Sequence, residues 1–341
     1  MSGRLAIVRA AHLLDYLAVM RRIGVPVDRD LAKSLLPPQI EQSADLYVSI
    51  PLAMEWLAQS GRDLEPMELG FLAAQQASQA SMKPAHLAEV LAAQTGFKRL
   101  QAFIRIASQE DNCLRVSLRR EGDQIRVICE SLHLGRHPFI CFAEWLNLQG
   151  VISIVSDLAG PGWCPREMTF VSRFAVPGAA REAFPNTRIL MGQRHSSILV
   201  DSEILAHPCQ GRSPITDELP LSLDPAQLQG EGGWDIVSIL RKILQPYLGS
   251  THPDLALAAE IVGMSTRTLQ RRLQQSGSSY SDVLQEARFE VARSLLDESG
   301  AKMIDVAMTV GYESQQHFSR AFRRFTGVTP TAYRRSVVEN A

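Results

Sequence analysis

One pattern occurs twice in roughly the last ninety residues of this chain, and it leaves little freedom in what that end can fold into. The first copy runs Leu255, Ala259, Val262, Gly263, Leu269, Leu273, and the second runs Ile304, Ala307, Val310, Gly311, Phe318, Phe322. Ala259 to Ala307 and Gly263 to Gly311 are offset by one interval, and Leu269 to Phe318 and Leu273 to Phe322 by that interval plus a residue. The added residue falls in Gly311-Tyr312-Glu313-Ser314 against Gly263-Met264-Ser265. A loop is where an insertion is tolerated best.

Each copy encodes two short helices meeting at a steep angle. Leu255, Ala259 and Val262 are spaced i, i+4, i+7 and share a face, and Leu269 and Leu273 share a face of the next helix. Ala259 is small where two helices cross closely, and Gly263 supplies a backbone conformation that a side chain resists. Ser265 and Ser314 stand where an N-cap is wanted, each with an oxygen to accept from a free helix amide. This is the grammar of a helix-turn-helix, and its repetition makes it specific.

At about 100° per residue, turning Leu269 and Leu273 inward sends Arg267, Thr268, Gln270, Arg271 and Gln274 outward. Turning Phe318, Phe322 and Phe325 inward sends Gln316, His317, Ser319, Arg320, Arg323 and Arg324 outward. Arginine is bidentate to guanine, glutamine to adenine, and hydroxyls serve either base, so these faces fit readout of double-stranded DNA. A merely solvated face mixes Glu with Lys. Here the windows 264–275 and 314–335 hold arginines and no acid, in a chain whose net charge is −1. The local excess of positive charge suits phosphate contact.

Between the copies, Val283, Ala287, Val291 and Leu295 recur at i+4 and Ser279 with Asp282 forms a capping-box pattern, which predicts one helix over 280–297. Eighteen to twenty residues at 1.5 Å each span roughly 27 to 30 Å. That is close to the roughly 34 Å between successive major grooves on one side of a duplex.

The remainder reads as a separate body, since 341 residues exceed what one core usually organises. The fold class expected is multidomain α+β: a mixed α/β N-terminal domain over 1–205, a linker over 206–233, and an all-α domain over 234–341 with two helix-turn-helix units joined by a linker helix. Helical periodicity covers 5–23, 84–107 and 140–158. Alternating runs at 113–119 and 124–130 flank Arg120-Glu121-Gly122-Asp123 as a hairpin, and a further strand pair is expected near 168–172 and 197–200. From His207 to Gly233 the chain turns to Pro, Gly, Ser and Asp and loses periodic apolar residues, as a linker does.

No catalytic residue, metal site or cofactor is expected. There is no G-x-S-x-G, H-E-x-x-H or Walker loop, and Gly230-Glu231-Gly232-Gly233 lies in the linker. Cys113, Cys129, Cys141, Cys164 and Cys209 show no zinc spacing and are expected as reduced thiols. His133 and His137 near Cys129 and Cys141 fit scattered residues better than a metal site, because Pro138 interrupts them. The first residues read as an amphipathic helix, not a signal peptide, and no run is long and apolar enough for a membrane span, which places the expected location in the cytoplasm.

The C-terminal hundred or so residues resemble the DNA-binding domain of the AraC/XylS family of bacterial regulators. The likeness is carried by Ala259-Glu260-Ile261-Val262-Gly263-Met264-Ser265 with Leu269-Gln270-Arg271, by Ile304-Asp305-Val306-Ala307 leading to Val310-Gly311-Tyr312, and by Phe318-Ser319-Arg320-Ala321-Phe322-Arg323-Arg324 followed by Gly327-Val328-Thr329-Pro330 and Tyr333-Arg334. Gln316 departs from the small hydroxyl residue common there. Residues 1 to about 205 look like the arabinose-binding-type N-terminal domain found in a subgroup that includes ornithine-utilisation regulators, above all at 192–208. The resemblance implies a homodimer, an activator that recruits RNA polymerase, and a small-molecule effector whose site residues the sequence leaves unknown. In a second reading the N-terminal domain only dimerises or docks a protein partner, with Phe139, Phe142, Trp145, Leu148 and Ile152 forming either a dimer seam or core. A DNA-repair alkyltransferase carrying this type of DNA-binding domain would need a cysteine metal site near the N-terminus, and the first cysteine is Cys113.

Overall fold

Strand, not helix, opens the described chain: β1 (Ile7–Arg9) pairs antiparallel with β2 (Tyr47–Ser49), and α1 (Ala11–Arg22) begins only after it. The expected helix over 5–23 loses its first turn to a long-range tie. Asn112 accepts from the Ile7 amide and donates to the Leu5 carbonyl, both at 2.8 Å, and so holds this backbone extended. The computed structural model describes residues 5–37, 39–76, 82–160, 162–209, 222–223, 234–249, 253–297 and 300–339. Most of the linker, including Gly230 to Gly233, lies outside the described residues. The chain divides into two units, Met1–Gly232 and Gly233–Ala341.

In the first unit, α2 (Val27–Ala32), α3 (Ile50–Ser60) and α4 (Pro66–Gln76) follow α1. The helix expected over 84–107 is two, α5 (Pro84–Leu91) and α6 (Gly96–Glu110). The break is at Thr95, whose hydroxyl accepts from the Lys98 amide at 3.2 Å and so starts a new helix. Gly96 is the first residue of that helix because any Cβ there would lie 2.6 Å from Leu158 Cδ1 and 3.1 Å from the Ile204 carbonyl. The hairpin forms as β3 (Leu114–Glu121) and β4 (Gln124–Ser131), with Glu121 opposite Gln124 and Gly122 at φ +67° in a tighter turn than the four residues expected.

After these come α7 (Cys141–Ala159), β5 (Glu167–Thr169), α8 (Gly178–Ala183), β6 (Arg188–Leu190), β7 (Ser196–Asp201), α9 (Ser202–Ala206) and β8 (Ser222–Leu223). The strand order is β6-β5-β7-β4-β3-β8, with β5 and β6 parallel and the other pairs antiparallel. Thus β5 and β7 pair as expected, and the linker composition did not forbid a short strand at Ser222–Leu223. Backbone pairing continues beyond α9, where the Cys209 amide donates to Gln94 O at 2.8 Å.

Packed against β4, β7 and α4, α7 forms the centre of this unit. Phe142, Trp145, Leu148 and Ile152 are buried and Phe139 packs beside them, so these side chains are core and not a dimer seam. The Trp145 ring meets Phe71 at 5.0 Å and Phe170 at 4.7 Å between centroids. A carboxylate sits inside the same helix: Glu144 is 1% exposed and accepts from the Val171 and Ser172 amides and the Ser196 hydroxyl. Burial pushes its pKa up even against those donors. None of the five cysteines is in a disulfide. No helix among the described residues is long and apolar enough to cross a membrane.

The second unit is helical throughout its described residues: α10 (Ile236–Leu244) with a 3₁₀ turn Gln245–Tyr247, α11 (Leu255–Ile261), α12 (Thr266–Gln275), α13 (Tyr280–Asp297), α14 (Met303–Thr309), α15 (Gln315–Thr326) and α16 (Pro330–Glu339). The expected 280–297 helix is therefore present as α13. Its capping box is present too, Asp282 N donating to Ser279 Oγ at 3.2 Å and Ser279 N to Asp282 Oδ2 at 3.1 Å. Its buried face differs from expectation: Val283 and Ala287 are buried, then Ala292 and Leu296, with Val291 and Leu295 at the margin. At about 100° per residue Ala292 stands roughly 180° around the helix from Val283, so the first half of α13 buries one face and the second half buries the opposite face, in the core it shares with α14 and α15.

Candidate nucleic-acid interface

The two turns of the repeat are built by the same hydrogen bonds. In the first, Gly263 N donates to Glu260 O at 3.0 Å and Met264 N to Ala259 O at 2.8 Å; in the second, Gly311 N donates to Met308 O at 3.0 Å and Tyr312 N to Ala307 O at 2.9 Å. Both are Schellman closures, which need a left-handed residue after the helix, and Gly263 and Gly311 have φ of +64° and +80°. The next helix is then capped alike in both. Ser265 Oγ accepts from Thr268 N and Ser314 Oγ from His317 N, each at 3.2 Å. Ser265→Ala and Ser314→Ala are each expected to lower stability by about 1 kcal/mol, measured by urea unfolding followed by far-ultraviolet circular dichroism. A change under a few tenths at both positions would mean that the caps do not hold these helices.

Leu269 and Leu273 of α12, and Phe318 and Phe322 of α15, are buried. Their placement turns Arg267, Gln270, Arg271 and Gln274 to solvent on α12, with Thr268 half-buried because its Oγ1 lies 2.9 Å from the capping Ser265 Oγ. On α15, Gln316, His317, Arg320, Arg323 and Arg324 are exposed and Ser319 is half-buried. Ser314, Gln315, Gln316, Ser319 and Arg320 line a shallow open hollow at the start of that helix. Phe325, expected inward, is 50% exposed. It stands in the last turn, where Phe289 of α13 covers one side of its ring at 4.9 Å.

Two arginines elsewhere in this unit are engaged. Arg241 lies 3.1 Å from Glu286 and 3.0 Å from Glu290, and Arg288 stacks over the Tyr312 ring at 5.1 Å. Among the described residues, none of Arg267, Arg271, Arg320, Arg323 and Arg324 lies within ion-pair distance of a carboxylate. Two capped helices thus each present exposed guanidinium and amide groups, and no carboxylate among the described residues neutralises the guanidinium groups. Such a surface suits the phosphates and base edges of a nucleic acid.

Contacts that brace these helices carry little sequence signal. Tyr312 donates through its hydroxyl to Gln285 Oε1 at 2.8 Å, and Tyr280 donates to the Pro253 carbonyl at 2.6 Å, which ties the start of α13 to the residues before α11. The residues weighed as a metal site do not gather. Cys129 and Cys141 are buried, burial pushing both thiols up to about 12, and His137 Nδ1 accepts from the Phe139 amide. Among the described residues no group of three or more His, Cys, Asp or Glu side chains could hold a metal ion.

Residues 258–336 match the family of helix-turn-helix domains, and residues 24–209 match the family described as the arabinose-binding domain of AraC transcription regulators. The chain belongs to the AraC family of transcription regulators. This AraC-family chain is 25% identical to the HTH-type transcriptional regulator VirS of Mycobacterium tuberculosis over 96% of both chains. It is 35% identical to the ornithine utilization regulator of Pseudomonas aeruginosa over 24% of each. Among solved structures it is similar to the transcriptional regulator CdpR from Pseudomonas aeruginosa, with 19% identity, 95% of this chain and 96% of that one covered, and a TM-score of 0.41. The AraC family is one of DNA-binding regulators and not of enzymes.

Proposed function

We propose that this AraC-family regulator binds double-stranded DNA sequence-specifically by laying α12 and α15 in successive major grooves. The contacts come from Arg267, Thr268, Gln270, Arg271 and Gln274 on the first helix and Gln316, Ser319, Arg320, Arg323 and Arg324 on the second. The observation that carries this reading is the set of exposed arginines on both faces that have no carboxylate within ion-pair distance among the described residues. N-terminal residues of a recognition helix meet base edges while the rest grips phosphate. In the roles assigned, 1–205 senses a small molecule and forms a homodimer, 206–233 connects, and 234–341 binds DNA and, as an activator in the cytoplasm, contacts RNA polymerase. Effector binding is supported by a partly open, mostly apolar cavity in the first unit.

Arg271→Ala and Arg320→Ala are each expected to weaken binding to the preferred site by about 1 to 3 kcal/mol and to relax sequence preference at one position. Selection of bound sequences from a random pool supplies the site, and fluorescence anisotropy on that site and on a scrambled duplex checks the variants. Equal losses on both duplexes would reassign these arginines to the backbone. No loss on either would remove them from the interface.

A further inference from the structure

A cavity of about 130 Å³ in the first unit is walled by side chains from α1, α3, α6 and α7, among them Leu13, Met54, Phe103, Ile106 and Val151. Resting on the reading of this unit as the sensing module, we propose that its ligand is a small apolar ring or short chain with one N–H or O–H donor head bound at Asp111, and not a sugar or a carboxylate.

Size comes first. An apolar cavity on the order of 150 Å³ accepts a molecule the size of benzene, so the space here suits a single ring. Chemistry of the walls comes second. Polar groups reach the cavity from His12, Glu110 and Asp111, and from Asn147 and Ser153 on α7, while the remaining wall is almost wholly apolar. A pentose carries hydroxyls around its whole ring. Those set against the apolar wall would lose water without replacement, at about 1 to 3 kcal/mol each.

The charge at the polar end decides the head group. Glu110 is 4% exposed and already engaged: Arg9 Nε lies 3.3 Å away, His12 Nε2 3.0 Å and His86 Nδ1 3.3 Å. Burial acts to raise the Glu110 pKa, and these partners outweigh it and hold the carboxyl below its usual range. Asp111 differs. Its Oδ1 accepts from the Cys113 amide at 2.7 Å and the Leu114 amide at 3.1 Å, which fixes it at the junction of α6 and β3. Among the described residues no side chain forms an ion pair with it, and burial outweighs the two amides and the nearby His12 to push it up to about 6. A carboxyl held in place beside the cavity, with no ion-pair partner within bonding distance among the described residues, attracts a donor and repels a ligand carboxylate. An ammonium head would supply the missing charge.

The test uses the full chain with benzylamine, phenol, benzoate and L-arabinose as probes, in calorimetric titration and thermal melting. Benzylamine and phenol are expected to bind and raise the melting temperature, benzoate and arabinose to do neither. Asp111→Asn keeps an oxygen for the two amides and removes the charge, so it should weaken benzylamine by about tenfold or more, the weight of one charge-assisted hydrogen bond. Phenol should change much less. Ala107→Leu, which adds apolar bulk to the cavity wall one turn before Asp111, should weaken both. Tighter binding of benzoate or arabinose, benzylamine affinity unchanged in Asp111→Asn, or no binding by either donor probe would overturn the assignment. DNA affinity of the same preparation without ligand reports separately on the regulator reading, and any probe that binds keeps the sensing role even where the head group proves wrong.

Discussion

Gly311→Ala is expected to lower stability by about 3 kcal/mol or more, while Gly263→Ala, at the matching turn of the first copy, should lower it by only about 1 to 2 kcal/mol. Both glycines hold left-handed backbone, and an L side chain there meets the same conformational penalty. Their surroundings differ. A Cβ on Gly263 would meet nothing within 4 Å, whereas one on Gly311 would lie 2.4 Å from the Leu248 carbonyl oxygen. That neighbour is backbone and cannot swing aside. The approach is mutual, since a Cβ on Gly249 would lie 2.9 Å from the Thr309 carbonyl oxygen. The 248–249 backbone and the end of α14 are therefore packed main chain to main chain, and overpacking adds about 1 to 3 kcal/mol to the conformational term. Urea unfolding followed by far-ultraviolet circular dichroism reads both variants. Equal losses would show that the turn alone demands glycine and that the contact with Leu248 gives way.

The contrast between the two glycines also marks how far the sequence could be read. The turns and caps of the repeat were legible because their bonds join residues three to five apart, so each motif is complete within one short window. The outward faces of α12 and α15 followed from the same local periodicity. What was missed depends on partners far along the chain. Asn112 holds β1 extended from 105 residues away, and nothing near Ile7 announces it. Glu144 looks like a surface residue on an amphipathic helix, and its burial is intelligible only once Ser196 and the amides of 171–172 are seen to meet it. Phe325 fits the inward face by phase, but the 280–297 helix covers it only through Phe289 and leaves half of it exposed. The cavity was the hardest of all to foresee, because its walls come from separated elements whose residues each read as ordinary core.

Binding to the preferred site should weaken by roughly 10³ when salt is raised from about 50 to 200 mM, if some six phosphates are neutralised. Each cation placed on a phosphate releases a condensed counterion, so the logarithm of affinity falls with the logarithm of salt at a slope of about −0.9 per contact. With Arg271 and Arg320 reading bases, Arg267, Arg323 and Arg324 supply about half of that number and other polar side chains and helix-terminal amides the rest. Within α15, Arg323 and Arg324 stand in the last turn, away from the capped N-terminal end where base edges are met. They are assigned to phosphate, and the double variant Arg323→Ala with Arg324→Ala should flatten the slope by about 2 while weakening specific and scrambled duplexes alike. Gln270→Ala, on the exposed face of α12 near its start, should leave the slope unchanged and alter base preference. Anisotropy titrations across a salt series measure both quantities on one preparation. A slope near zero for the unaltered chain would remove phosphate contact from the interface, and with it the reason for two acid-free arginine faces in a chain whose net charge is −1.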